Sequence, residues 1–440
     1  MMKNFKYVML MAAALTMGLS SCSNNDDLGN GETIDTGRPT KMTLAITQPT
    51  TYAADGNATG AEVDIKTVDV YIYSGTTFLK RAGLTASDFT KGANNVWTLK
   101  EGSKIATTTG AKTIYVGVNL PTTPSSLPDI AAGIEGTNPA TFAQTITAAT
   151  DLGTTAAGYA MFSREAKTVN LVAPDAGGYE TTNKVKVSVA RLLAKVVVKK
   201  GSGLTDTKIT GGNFTSFEFA VSNVNTKFFP LPSATFADPN YTTPWPTLGD
   251  FIPAVNASYV GINNAGVIPV ENIKAVYTTE NTSEGFLQGE HTYASVRGKF
   301  VPTTISGWNG TEITGNGGPL NADGDFYKVV VDGKNYFFSV EAQAKGCAQS
   351  KANGVYVKYT KGWAYYNVFL NPTAGGGEQK FDVLRNTIYT VNITKINGLG
   401  DGEDKVVEPE EPIGAPTNLS VEINIEAWST NDQDSELTGK

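Results

Sequence analysis

The stretch Val185-Lys186-Val187-Ser188-Val189-Ala190-Arg191-Leu192-Leu193-Ala194-Lys195-Val196-Val197-Val198 decides the fold. Val185, Val187 and Val189 alternate with Lys186 and Ser188, the period of a strand with one buried face. Leu193 and the run Val196, Val197 and Val198 read as a second, β-branched strand. Almost no linker separates the two, so one strand ends and another begins near Ala190 and Arg191. We place a domain boundary there, and so short a join predicts a rigid pair.

The same alternation recurs in both directions. Met42, Leu44 and Ile46 alternate with polar neighbours, as do Val68, Val70 and Ile72 before the turn Ser74-Gly75. Ile114, Val116 and Val118 form another strand, closed by Asn119 and Pro121. Phe326 to Val331 and Tyr336 to Val340 flank Asp332-Gly333, and Asp-Gly between β-rich runs signals a hairpin. Trp363 to Leu370 and Thr387 to Ile396 are further strands. Residues 139–150 read as one short helix with Asn138 as its N-cap, and no stretch carries a long 3.6-residue period. Many short strands joined by Gly- and Pro-rich turns give an all-β chain of sandwiches. The 440 residues exceed one sandwich, so we expect two in tandem, over 41–190 and 191–400.

The residue inventory is not that of an enzyme. The chain has one histidine and two cysteines, too few for an ordinary zinc site. Any Ser-His-Asp triad would rest on His291 alone, and His291 sits in a strand-like run beside Tyr293, which reads as structural. The formal charge of −7 argues against a nucleic-acid surface. Asn321, Asp323 and Asp325 have calcium-ligand chemistry but lack the glycine of an EF-hand loop, so they read as a solvated turn. Cys347 reads as a free thiol. Trp245, Trp308 and Trp363 suit either a glycan platform or core packing, and scattered aromatics favour core. No cofactor or metal is expected.

The N-terminus reads as an address. Lys3 and Lys6 precede an apolar run from Tyr7 to Leu19, too short to span a bilayer, so residues 1–21 form a signal peptide. The run ends in Leu19-Ser20-Ser21-Cys22, which resembles a bacterial lipobox with Cys22 as the acylated residue; the alternative is a secretory signal with an incidental cysteine. Acyl chains add about 0.8 kcal/mol per buried methylene, enough in a multiply acylated cysteine to anchor the chain to the outer membrane. Residues 22–40 then read as a flexible tether. With Cys22 acylated, Cys347 has no disulfide partner.

Two strands near the ends have matching patterns. Residues 401–416 are acidic and carry Pro409, Pro412 and Pro416, which reads as an extended connector. Within 417–440, Leu419, Val421, Ile423, Ile425 and Ala427 alternate with polar residues and Trp428 closes the run. That strand either folds back on its own sandwich or serves as a donor to a neighbour. At the other end, Met42 to Thr47 is followed by the polar stretch Gln48 to Gly60, a loop of the kind proteases cut. Loss of the first strand would leave unpaired backbone groups and an apolar groove. A second copy's terminal strand could fill it by strand addition.

The chain resembles the fimbrillins of Bacteroidales, the type V pilins, and most nearly their shorter-fimbria major-subunit branch. Beyond the lipobox, the resemblance is carried by Val189 to Val196, by Glu280-Asn281-Thr282, and by Gly289-Glu290-His291-Thr292-Tyr293 with Val296 to Phe300. It continues in Tyr365-Tyr366-Asn367-Val368, Leu384 to Ile393, Gly398-Leu399-Gly400 and Ile425-Glu426-Ala427-Trp428. The resemblance implies two tandem transthyretin-like β-sandwiches with an exchangeable first strand and a C-terminal donor strand. It implies a non-enzymatic subunit, exported as an outer-membrane lipoprotein and cut by a surface protease after an arginine behind the first strand. Met42, Leu44 and Ile46 would then leave, with the cut near Thr51, Tyr52 and Ala53. Leu419, Val421, Ile423, Ile425, Ala427 and Trp428 would enter a neighbour. The partners implied are other copies of the chain, accessory fimbrial subunits, and host or bacterial surface receptors in adhesion or biofilm formation. The sequence departs from the pattern at one point: the loop holds no arginine, and Arg38 precedes Pro39.

Overall fold

The computed structural model describes residues 37–48, 60–121, 130–154, 156–201, 204, 208–245, 247, 251–265, 272–315, 317–321, 323–371, 381–404, 408–414 and 419–427. The alternating segments form strands. In the N-terminal half these are β1 (Pro39–Thr47), β2 (Thr67–Ser74), β3 (Thr77–Thr85), β4 (Phe89–Lys91), β5 (Val96–Leu99), β6 (Ile105–Thr108), β7 (Gly110–Val118), β8 (Met161–Ser163), β9 (Lys167–Leu171) and β10 (Lys184–Arg191). They run in the order β3-β2-β7-β8-β10-β1-β5-β4, with β9 on β7 and β6 on β1. The alternation puts Val68, Val70, Ile72, Ile114, Val116, Val118, Val185, Val187 and Val189 into one core with Met42, Leu44 and Ile46.

One residue, Leu192, carries the chain from β10 into β11 (Leu193–Lys200). The C-terminal half adds β12 (Gly212–Ser222), β13 (Val276–Thr279), β14 (Tyr293–Pro302), β15 (Phe326–Val331), β16 (Lys334–Phe338), β17 (Val357–Tyr359), β18 (Trp363–Phe369), β19 (Thr387–Ile396) and β20 (Leu419–Ala427). One sheet runs β13-β11-β19-β20, and another pairs β12, β14 and β18. Val196, Val198, Val391 and Ile393 from the first meet Phe214, Phe219, Val296 and Phe300 from the second, so this half is a sandwich with its own core. A third cluster, with Leu192, Leu193, Tyr71, Phe162 and Phe228, is buried where the two halves meet.

Residues 303–362 lie between the paired strands β14 and β18 and fold as a small unit. β15 and β16 form the expected hairpin, with Asp332 and Gly333 both at positive φ (49° and 75°) in its two-residue turn. A β-carbon is tolerated at positive φ only at a cost, which glycine avoids. Helix α2 (Glu341–Lys351) packs Ala344, Cys347 and Ala348 against Val329 and Phe338. The sequence reading misses this helix, because its buried face is made of small residues. The helix expected over 139–150 does not form. Asn138 instead caps a turn, its Oδ1 accepting from Ala140 N at 3.0 Å, and Gln144–Thr145 joins a short strand pair. Among the described residues no helix is long and apolar enough to cross a membrane.

Candidate functional site

β1 lies inside its sheet. Residues 43–47 run parallel to β10, with Leu44 opposite Val185 and Ile46 opposite Val187. On the other side Ala45 to Thr47 pair antiparallel with β5, and Pro39 to Met42 pair antiparallel with β6. Met42, Leu44 and Ile46 are each 0% exposed. Together they bury about 5–9 kcal/mol of side-chain transfer free energy, at roughly 1.5–3 kcal/mol each.

Polar contacts pin the strand at both ends. Asn183 Nδ2 donates to Lys41 O at 2.9 Å and to Thr40 Oγ1 at 3.0 Å, and Thr43 N donates to Asn183 O at 3.0 Å. At the far end Gln48 is buried, and its Oε1 accepts from Trp97 Nε1 at 3.2 Å. Gln48, which the sequence reading puts in the loop, therefore belongs to the strand's seat. Sequence reasoning missed Asn183, since a lone asparagine in a turn-like run gives no periodic signal. Arg38 is exposed and pairs with Asp175 at 2.9 Å, a surface contact of little energetic weight.

The terminal strand β20 pairs antiparallel with β19, from Thr387 opposite Ala427 to Ile396 opposite Leu419, with an irregularity between Ile393 and Lys395. It is the edge strand of the second sandwich. In the single chain it folds back, so the two end strands lie in different sheets. Cys22, the segment Thr51, Tyr52 and Ala53, and Trp428 lie outside the described residues.

The acidic connector is fastened down. Tyr365 and Asp401 exchange backbone hydrogen bonds of 2.8 and 2.9 Å. Asp404 accepts from Tyr259 Oη at 2.8 Å and from Ser295 Oγ at 3.2 Å. Farther along, Gly289 N donates to Pro409 O, Gln288 N to Glu411 O, and Ile413 N to Phe286 O, at 2.9–3.0 Å. Most of the connector's described residues are exposed, and Glu408 to Glu411 make a turn in which Glu411 N donates to Glu408 O at 3.0 Å. Backbone groups hold it to the sandwich, and composition does not encode those.

The other candidate residues serve packing and charge pairing. His291 is fully buried, with Nδ1 3.2 Å from Phe381 O and Nε2 3.0 Å from Gly285 O, and burial pushes its pKa down. Asp323 pairs with Lys299, and Asp325 accepts from Lys361 N at 2.8 Å and pairs with Lys358 at 3.1 Å. Among the described residues no group of three His, Cys, Asp or Glu side chains is placed to hold a metal. Cys347 is buried on α2, and burial pushes its thiol up. The three tryptophans have three separate roles. Trp363 stacks on the Arg297 guanidinium, 4.3 Å away, with Tyr259 on Arg297 at 3.9 Å. Trp308 packs against the small core around α2, and Trp245 lies against Gly289 beside Pro409.

An all-β sandwich protein whose last strand is stored on its own edge is the class these features define. Residues 357–434, from β17 through β20, match the family model described as Major fimbrial subunit protein type IV, Fimbrillin, C-terminal. The match is confined to the C-terminal part of the chain. Among solved structures, it is similar to a fimbrilin from Porphyromonas gingivalis W83, at 15% identity and a TM-score of 0.46, covering 89% of this chain and 98% of that one. A tip fimbrial protein from Porphyromonas gingivalis with a C-terminal truncation matches at 11% identity and a TM-score of 0.41, covering 88% and 100%. A fimbrial assembly protein from Parabacteroides distasonis matches at 12% identity and a TM-score of 0.38, covering 81% and 93%. No curated protein matches the chain.

Proposed function

We propose that the chain is a structural subunit of a cell-surface fimbrium, exported as a lipoprotein acylated at Cys22 and polymerised by strand exchange. A protease cuts the loop behind β1, near Thr51 to Ala53. β1 leaves with the lipidated leader, and a neighbour's terminal strand takes its seat between β10 and β5. The observation that carries this reading is the match between seat and donor. β1 and β20 are both nine residues long and both carry an every-second-residue apolar pattern, which comes into step when β20 is shifted by one residue. In that register Val421, Ile423 and Ile425 take the places of Met42, Leu44 and Ile46, and Leu419 falls at Thr40. The edge placement of β20 supports it further, since an edge strand leaves by breaking one ladder whereas an internal strand breaks two.

A second reading is favoured by one sequence feature, the lack of arginine between Gln48 and Gly60. It makes the chain an uncut anchor subunit that keeps its lipid and donates only its terminal strand.

N-terminal sequencing of surface material separates the two. A start near Ala53 supports the cut subunit, and a lipidated Cys22 on every chain supports the anchor. Deletion of the residues after Pro416 should abolish high-mass ladders on unheated gels. Unchanged ladders would rule out the terminal strand as donor and with it both readings, whereas a full-length chain that forms no ladders would leave a non-polymerising surface adhesin.

A further inference from the structure

Directly after the loop, helix α1 (Gly60–Val63) carries Glu62, which is 0% exposed. Its carboxylate receives Lys195 Nζ at 3.0 Å and the hydroxyl of Tyr277, and its backbone oxygen accepts from Arg191 Nε at 3.0 Å. Arg191 is also 0% exposed and Lys195 1% exposed. Arg191 ends β10 of the first sandwich, while Lys195 and Tyr277 lie on β11 and β13 of the second. Four residues on, Lys66 N and Thr67 N both donate to Asn119 Oδ1, at 2.7 and 3.2 Å, and Asn119 Nδ2 returns a bond to Asp64 O at 2.7 Å. Ile65 between them is buried.

We propose that Glu62 is a latch that fixes the end of the released segment: the chain is free to part upstream of it, while residues from Glu62 onward stay with the subunit as a staple across the two sandwiches. This rests on the reading that β1 is released. The electrostatics dictate the sign. Two cations are sealed from water here, and Glu62 is the carboxylate between them. Burial pushes both Arg191 and Lys195 toward losing their charge, and the Glu62 carboxylate opposes that shift. A charged group left buried after its counter-charge departs is strongly destabilising. A cut on the C-terminal side of Glu62 would leave the cations in that state, whereas a cut upstream leaves the cluster whole. The latch therefore lets β1 go without loosening the joint that holds its empty seat open. It also gives a role to the Arg191–Lys195 spacing in the sequence that joins β10 to β11.

The test uses the full chain with a site-specific protease sequence replacing residues 52–58, cut after folding. Hydrogen exchange of residues 60–67 reads the latch. Intact mass after gel filtration, with and without a synthetic 417–429 peptide, separately reads whether the β1 fragment leaves. In the cut chain, residues 60–67 should stay protected by about 100-fold or more over an unstructured peptide. Glu62→Gln should lower that protection by at least about tenfold. Should Glu62→Gln alone not fold, Glu62→Gln with Lys195→Met restores the charge balance and should fold with 60–67 selectively deprotected. Residues 60–67 exchanging as fast as the cut loop would overturn the latch, as would native-like protection in both variants. Retention of the β1 fragment with 60–67 protected would instead overturn release and leave the staple standing.

Discussion

Leu44 sits in parallel register with Val185, and both are buried in the first core. The two residues lie far apart in the chain, so the seat of β1 closes only after β10 has been placed. Parallel pairing of such distant segments is slow to form, because loop closure precedes its reward. A strand added last in folding is a natural candidate for the strand that leaves first.

Leu44→Ala should destabilise the first sandwich by about 2–5 kcal/mol, the range for a fully buried leucine that leaves a cavity. Urea unfolding should show a lower midpoint with little change in slope. A substitution on the exposed face of the same strand, Lys41→Ala, should leave the midpoint nearly unchanged, which makes the pair a test of the seat and not of strand propensity.

Asn183→Ala removes the donor to Thr40 Oγ1 and Lys41 O, and the acceptor for Val172 N at 2.9 Å. Unmet buried polar groups cost about 1–3 kcal/mol. The amides of Lys41 to Thr43 should exchange faster while those of β7 keep their protection. Uniform loss of protection across the sandwich would show that Asn183 supports the fold at large and is no end-pin of β1.

Asp238 and Asp382 are buried, and burial pushes both carboxyls up to about 7. Unfolded aspartates titrate near ~3.9, so the folded state holds these protons more tightly. Their stabilisation is full below the unfolded value and is lost as pH rises through about 7. His291 acts oppositely. Its depressed pKa favours the folded state above ~6.5 and loses that stabilisation as pH falls. The melting temperature should therefore fall as pH is raised from ~6.5 to ~8. Asp382→Asn, which keeps an acceptor for Ser283 N, should flatten that slope.

The positions of the main strands were legible in the sequence, although Val68 to Ile72 and much of Thr387 to Ile396 are buried on both faces. Met42 to Ile46, Val68 to Ile72, Ile114 to Val118 and Thr387 to Ile396 all form as their alternation predicts, and Asp332-Gly333 turns where expected. Helix α2 escaped because Ala344, Cys347 and Ala348 make an i, i+3, i+4 stripe too small to register as apolar. Asn183 and Glu62 escaped for a different reason. A buried polar residue acts through a single geometry, and geometry of that kind has no period. The docking of the connector is set largely by backbone hydrogen bonds and a close glycine approach, neither of which leaves a periodic side-chain signal.

That docking yields the sharpest contrast between two glycines. A β-carbon on Gly400 would stand 2.1 Å from Tyr365 O, while one on Gly414 would meet nothing within 4 Å. Gly400 lies this close because its neighbour Asp401 pairs with Tyr365, and because Tyr359 Oη donates to Gly400 O at 2.9 Å. Gly400→Ala must therefore push the connector off the edge of β18, at about 1–3 kcal/mol for an overpacked site. Limited proteolysis should then cut within 401–414, while Gly414→Ala leaves the digestion pattern unchanged. Equal resistance in both variants would mean that the connector is held from its far end, by the contacts of Pro409, Glu411 and Ile413, and that the Tyr365–Asp401 pair only follows.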